Sequence, residues 1–236
     1  MTKKFAQISL SAGFAMCLMT HPIQAQSNGI ELIAMHKTFD VMTAGTGGEP
    51  QRAFAANPSR PIHGNTPVAR LRSVIASAEA GRMGYNAVQH GARIKPPNRP
   101  VQMTVQDIYD WIDATPNQQH AIGRYQFIPN TLRGLMQRAG IDPSKRFSPA
   151  LQDQLADMLL RDAGLVAFSC GRITRKAFMN RLARIWAGLP TSSGRSAYDG
   201  LAGNAATISW HRFEAGIAQS FPAGVIKANA QGPTCT

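Results

Sequence analysis

The chain has 236 residues, 44% hydrophobic content, and 25 Lys and Arg against 13 Asp and Glu. That length supports one sizeable core with tails. The basic residues are scattered, without the stripe of interleaved aromatics that stacks bases, so nucleic acid is not an expected partner.

Lys3 and Lys4 head an uncharged, mostly apolar run over 5–20, followed by Pro22 and Ile23-Gln24-Ala25. This is the pattern of a secretory signal peptide over 1–25, cleaved near Ala25. Cys17 would be the acceptor for a lipid anchor, but Met16 beside it argues against that use. No later segment has the length of uncharged apolar sequence that spans a bilayer, so the mature form has no transmembrane anchor. The expected compartment is periplasmic or extracellular. There a basic protein is drawn to cell wall and anionic surfaces, and the two remaining cysteines, Cys170 and Cys235, can form one disulfide.

Residues 26–66 carry Thr43-Ala44-Gly45-Thr46-Gly47-Gly48-Glu49-Pro50 and Asn57-Pro58-Ser59-Arg60-Pro61, the punctuation of a flexible linker. A folded domain over 67–220 follows, with a C-terminal tail over 221–236. Thr66 and Pro67 fit the N-cap and first position of a helix, with Val68, Leu71, Ile75 and Ala78 on one face and Glu79 near its end. Gly84 to Pro100 reads as loop. A second helix starts at Thr104, with Asp107 in capping-box position, and runs to about Asp113. The third spans about Asn130 to Ala139 and stops at Gly140. Ser148-Pro149 starts the fourth, with Leu151, Leu155, Met158 and Leu159 on one face. Thr174 caps a fifth with a Phe178, Leu182, Ile185 stripe, and a last helix covers about Ala205 to Gln219. The only strand signal is slight, at Ala87-Val88. The class is mainly α, with at most a small β element and a cleft between helical layers.

The chemistry narrows by elimination. There is no Gly-x-Ser-x-Gly elbow, no phosphate-cradling glycine loop, and no His pair at metalloprotease spacing, so no metal or cofactor is implied. His63, His90, His120 and His211 are widely separated. The chain has four Glu, and Glu79 is the only one between positions 50 and 213. It follows Ile75-Ala76-Ser77-Ala78 at a helix end. Apolar neighbours there raise a carboxyl pKa and let it hold a proton near neutral pH, as a glycosidase acid must. A Tyr and a Gln bracketed by Gly123 and Pro129 have the donors, acceptor and flat face to line a saccharide cleft, although a packed inter-helix loop has the same composition.

Four segments occur in order: Ala78-Glu79-Ala80-Gly81, Gly84-Tyr85-Asn86, Gly123-Arg124-Tyr125-Gln126 and Arg184-Ile185-Trp186-Ala187-Gly188-Leu189-Pro190. With Phe147-Ser148-Pro149 and Gln152-Asp153, they resemble the phage lambda endolysin family over about residues 70–200. Those proteins are lytic transglycosylases with a lysozyme-like fold. In this chain Ala78 and Ala80 flank the Glu where that family has Ser and Gly, and Asn86 stands where it has Asp.

The resemblance implies an α+β lysozyme-like domain that cleaves peptidoglycan glycan strands between N-acetylmuramic acid and N-acetylglucosamine. Glu79 is then the single acid/base and 1,6-anhydro ends are the product. Tyr85, Asn86, Tyr125 and Gln126 are the candidate substrate-binding residues. Trp186, spaced with Leu182 and Ile185, reads as core. A hydrolytic muramidase is the alternative, and it requires a second carboxylate; Asp107, Asp110 and Asp113 are nearest in sequence. A catalytically weak wall-binding or assembly protein is the other alternative. A cell-envelope secretion or flagellar apparatus is the candidate partner.

Overall fold

Thr66 closes the start of the first helix in the computed structural model, which describes residues 65–201, 203–223, 226 and 235. Its Oγ1 accepts from the Ala69 amide at 3.1 Å, and Pro67 fills the first helical position, so α1 runs Pro67–Glu79. A 3-10 segment over Gly81–Asn86 turns the chain away, with Gly84 at φ 54°. The capping box of Thr104 and Asp107 opens α2, Val105–Ala114. Helix α3, Pro129–Ala139, ends at Gly140 in the left-handed conformation. Ser148 caps α4, Pro149–Asp162; α5 is a short helix over Leu165–Ser169; Thr174 caps α6, Arg175–Ala183. Ser209 caps α7, Trp210–Ser220.

The apolar faces meet in one core. Leu71 and Ile75 of α1, Ile108 of α2, Leu132 of α3, Leu155 of α4, Phe178 of α6 and Phe213 of α7 are all fully buried within it. The β element is a set of isolated bridges. Ile122 pairs antiparallel with both Val88 and Phe127, making Gly123–Gln126 the tip of a tight hairpin. Cys170 and Cys235 are bonded to each other, so the chain near its end is tied to the residue that follows α5. No helix among the described residues is long and apolar enough to cross a membrane.

Three boundaries differ from the sequence reading. The last helix begins at Trp210 rather than near Ala205, because Thr207 is held by hydrogen bonds to Gly188 and the Ser209 cap sets the first turn at Trp210. Helix α5 has no counterpart in the sequence reading; five residues give too few turns for a periodic pattern. Ile185 lies just beyond the end of α6. The expected signal peptide, its cleavage at Ala25, Cys17, the linker up to residue 64 and nearly all of the tail lie outside the described residues.

Two adjacent polar residues on α4 join the loops. Gln152 is fully buried. Its Nε2 donates to the Tyr85 and Phe147 carbonyls at 3.1 and 3.0 Å, and its Oε1 accepts the Arg124 amide at 2.8 Å. Gly123, at φ 79°, has no room for a Cβ, which would lie 2.5 Å from that Oε1. Asp153 Oδ1 accepts the hydroxyls of Tyr125 at 2.6 Å and Tyr85 at 2.9 Å, while its Oδ2 pairs with Arg72 of α1 at 3.1 Å. Replacing Gln152 with Ala strands three buried backbone groups and opens a cavity. The expected loss is about 3 kcal/mol of unfolding free energy, read by urea denaturation.

Candidate functional site

Glu79 is the last residue of α1, and its placement follows from the helix pattern: Arg72, Ile75, Ala76 and Glu79 share one face. The residue is partly buried. Its Oε1 accepts the Gly188 amide at 2.8 Å. Burial pushes its pKa up to about 7 against the smaller opposing effect of that amide, and no neighbouring charge takes part. At neutral pH the carboxyl is therefore divided between its two forms, the condition for giving and taking a proton in turn.

The segment that supplies the amide is built to approach closely. A Cβ on Gly188 would stand 2.6 Å from the Ala78 carbonyl oxygen and 2.9 Å from Glu79 Oε1, so glycine is required by contact with backbone. Thr207 clamps the approach. Its amide donates to the Gly188 carbonyl at 2.9 Å and its Oγ1 to the Ala78 carbonyl at 2.7 Å. Trp186 is core, as its spacing suggests; it is 3% exposed and its Nε1 donates to the Tyr125 carbonyl at 3.2 Å. Ser196 holds the far side through a 2.7 Å bond from Oγ to the Ala187 carbonyl.

The other candidates are placed differently. Tyr125 is 1% exposed and its hydroxyl donates to Asp153, so its ring packs in the core. Burial, with Asp153 beside it, pushes its phenol pKa upward, and it acts as a neutral donor. Tyr85 is partly exposed, but its hydroxyl also goes to Asp153, and the Arg124 guanidinium sits 4.8 Å over its ring. Asn86 Oδ1 accepts the Val101 amide at 3.3 Å, which fixes the loop after the 3-10 segment. Gln126 is partly exposed with φ at 46°, a conformation few non-glycine residues adopt, and its Nε2 donates to the Gly123 carbonyl. Its Oε1 has no partner among the described residues, and neither has Asn86 Nδ2, so these two of the four present a polar atom with no hydrogen bond in the structure.

The aspartates of α2 are occupied elsewhere. Asp107 closes the capping box, Asp110 accepts from Gln106, and Asp113 pairs with Arg133 at 2.9 Å. Sequence reasoning missed Gly188, Thr207, Arg72 and the positioning role of Gln152 and Asp153. A signal existed for the last three: Arg72 and Gln152 lie on helical faces otherwise occupied by buried apolar residues, and Asp153 adjoins one of them. Thr207 carried none.

The family model described as Endolysin matches residues 71–208, a span that contains Glu79, the hairpin tip, the α4 pair and the Gly188 clamp. No curated protein and no solved structure matches the chain.

The raised carboxyl makes the native state hold a proton that the unfolded chain has released. Below pH 4.5 both states are protonated, and the native state loses its proton only through about 7. Stability therefore falls as pH rises between those values. Glu79→Gln removes this cost; the variant should be indistinguishable from the parent at pH 4 and more stable at pH 8 by about 2 kcal/mol, read by thermal melts at both pH values. Gly188→Ala should push the loop away, withdraw the amide and admit water to the carboxyl; because burial is the larger cause of the shift, the Glu79 pKa should fall toward its ordinary value. A carboxyl-specific NMR or infrared titration would read that downward shift.

Proposed function

The chain belongs to the endolysin family, and from that premise we propose that it is a lytic transglycosylase of bacterial peptidoglycan with Glu79 as its only acid/base. At the coarser level the membership supports an enzyme that degrades the cell wall by breaking glycosidic bonds. The finer reading rests on one observation: Glu79 is poised near pH 7 by burial and a backbone amide alone, with no second carboxylate acting on it.

The reaction follows from that isolation. Protonated Glu79 gives its proton to the oxygen joining N-acetylmuramic acid to N-acetylglucosamine, and the C1–O bond breaks with its electron pair leaving on that oxygen. Positive charge develops at the muramic acid C1. The Glu79 carboxylate then takes the proton of the same sugar's C6 hydroxyl, and the C6 oxygen closes on C1 as a 1,6-anhydro ring. Glu79 ends as it began, and no water is consumed. A hydrolytic route needs another carboxylate to activate water or to hold the sugar covalently. The aspartates of α2 are tied into a cap, a glutamine and an ion pair, which disfavours them. Gln126 Oε1 would accept from a sugar amide or hydroxyl, with the side chain held by the bond from its Nε2 to the Gly123 carbonyl.

Action outside the inner membrane is supported by the leader-like residues 1–25 and by the Cys170–Cys235 disulfide, which persists in an oxidising compartment. A cellular enzyme of this kind would open the wall locally for an envelope-spanning assembly.

The test is digestion of purified peptidoglycan by residues 26–236, with products identified by mass spectrometry. Products lighter by one water than reducing ends are expected, with the yield reduced by roughly a thousandfold or more in Glu79→Gln. Reducing muramic acid ends would replace the reading with a muramidase, and no products from either protein would favour a wall-binding role. Because the acid must be protonated, kcat/KM should fall about tenfold per pH unit above the Glu79 pKa.

A further inference from the structure

An open pocket of 770 Å³ lies between α1 and α7, and Glu79 is not among its lining residues. The two helices run antiparallel along it. Arg70 of α1 reaches the Ser220 carbonyl at the end of α7, Val74 faces Gly216, and Ala78 faces Thr207. Four arginines line the pocket: Arg70, Arg72, Arg124 and Arg212. Only Arg72 is neutralised, by Asp153 at 3.1 Å and Asp157 at 3.5 Å. Arg70 bonds to the carbonyl and side-chain oxygens of Asn65, and Arg124 to Ser73 Oγ. Neither they nor Arg212 meets a carboxylate among the described residues, and the Nε atoms of Arg70 and Arg124 are buried without a partner. Asp153 also lines the pocket but is engaged by Arg72 and two tyrosine hydroxyls, so three guanidinium groups line one concave surface without an ion-pair partner of their own, which favours an anionic occupant.

The spacing narrows the occupant. The antiparallel pairing places Arg212, in the first turn of α7, near the level of Ser77, while Arg70 lies at the other end of the pocket. At about 1.5 Å per residue, those levels are roughly 10 Å apart. Carboxylates a few residues apart on a flexible chain match that separation of levels better than a single compact ion does. Ser77, which also lines the pocket, is two residues from Glu79. Residues two apart point to different sides of a helix, so a substituent of a strand seated at Glu79 has to pass around α1, whose diameter with side chains is about 10 Å. A stem of several residues, each spanning about 3.3 Å when extended, is long enough.

We propose that this pocket binds the carboxylates of the peptide stems attached to the glycan strand, as a second subsite outside the one at Glu79. The proposal rests on the reading of peptidoglycan as substrate. It makes the enzyme selective for stem-bearing, unamidated strands over bare glycan, through contacts that hold the strand without touching the bond that breaks. Their contribution is to KM.

The test separates binding from cleavage by using the Glu79→Gln protein, residues 26–236, in a sedimentation assay with purified sacculi. One batch is untreated, and the other has its stem carboxyls converted to amides. Binding to the amidated batch should be weaker by about tenfold or more, and the untreated batch should lose affinity as salt rises. Arg70→Gln with Arg212→Gln should bind both batches equally weakly. Arg212→Glu should do the same with its fold intact, because an acid at that position completes a capping box with Ser209. In the active protein, Arg212→Glu should raise KM on intact strands about tenfold while kcat, and KM on strands stripped of peptide, stay unchanged. Equal binding of the two batches by the unsubstituted pocket, or arginine variants that bind like it, would overturn the proposal. Displacement by polyphosphate with no effect of amidation would assign the pocket to phosphate polymers instead. Carboxylate-dependent binding in a protein that cleaves nothing would keep the pocket and remove the transglycosylase reading.

Discussion

The fold turns on a pair of adjacent side chains that are polar where the helix pattern expects apolar ones. Gln152 and Asp153 sit on the buried side of α4, and between them they hold the 3-10 segment, the hairpin tip, the start of α4 and helix α1. The contacts share partners across four segments, so the pair acts as a network whose members depend on one another. Polar groups in an apolar interior are costly when half satisfied. Here Gln152 engages both its amide nitrogen and its carbonyl oxygen, and Asp153 uses both carboxylate oxygens.

That network sets the frame within which Glu79 is isolated. Trp186 anchors the segment before Gly188 to the Tyr125 carbonyl, and Tyr125 is in turn pinned to Asp153. The loop carrying the Gly188 amide is therefore positioned from α4, through the core, rather than by contacts at the carboxyl itself. Thr207 completes the clamp by bridging the end of α1 to the same loop. Burial without a charged neighbour raises the carboxyl pKa, and a single amide keeps the rise moderate. Two opposed effects thus balance on one group, which can give or take a proton near neutral pH.

The positive charge divides in a similar way. Arg72 is spent inside the molecule, where it offsets Asp153 and Asp157. Arg70, Arg124 and Arg212 face a shared pocket whose lining acid, Asp153, is engaged by Arg72 and two tyrosine hydroxyls, although α1, the hairpin and α7 are distant in sequence. The overall basic composition indicates attraction to polyanions. The helical packing is what gathers part of that charge in one place, alongside the helix that carries the proposed acid.

Much of the helical frame was legible in the sequence because its signals are local. Thr66-Pro67, Thr104 with Asp107, Ser148-Pro149, Thr174 and Gly140 mark helix ends through bonds made within one turn, and each lies where the structure begins or ends a helix. The raised carboxyl of Glu79 was legible for the same reason, since its apolar neighbours precede it on one helical face. What only the tertiary structure decided involves partners far apart in the chain. Tyr125 reads as a cleft residue beside Gln126, yet it is core, because Asp153 captures its hydroxyl from 28 residues away. The Gly188 amide meets Glu79 across 109 residues, and Thr207 meets Ala78 across 129. No periodicity or capping rule carries such pairings. They arise when packed helices bring unsatisfied polar groups together, and burial leaves those groups no solvent to turn to.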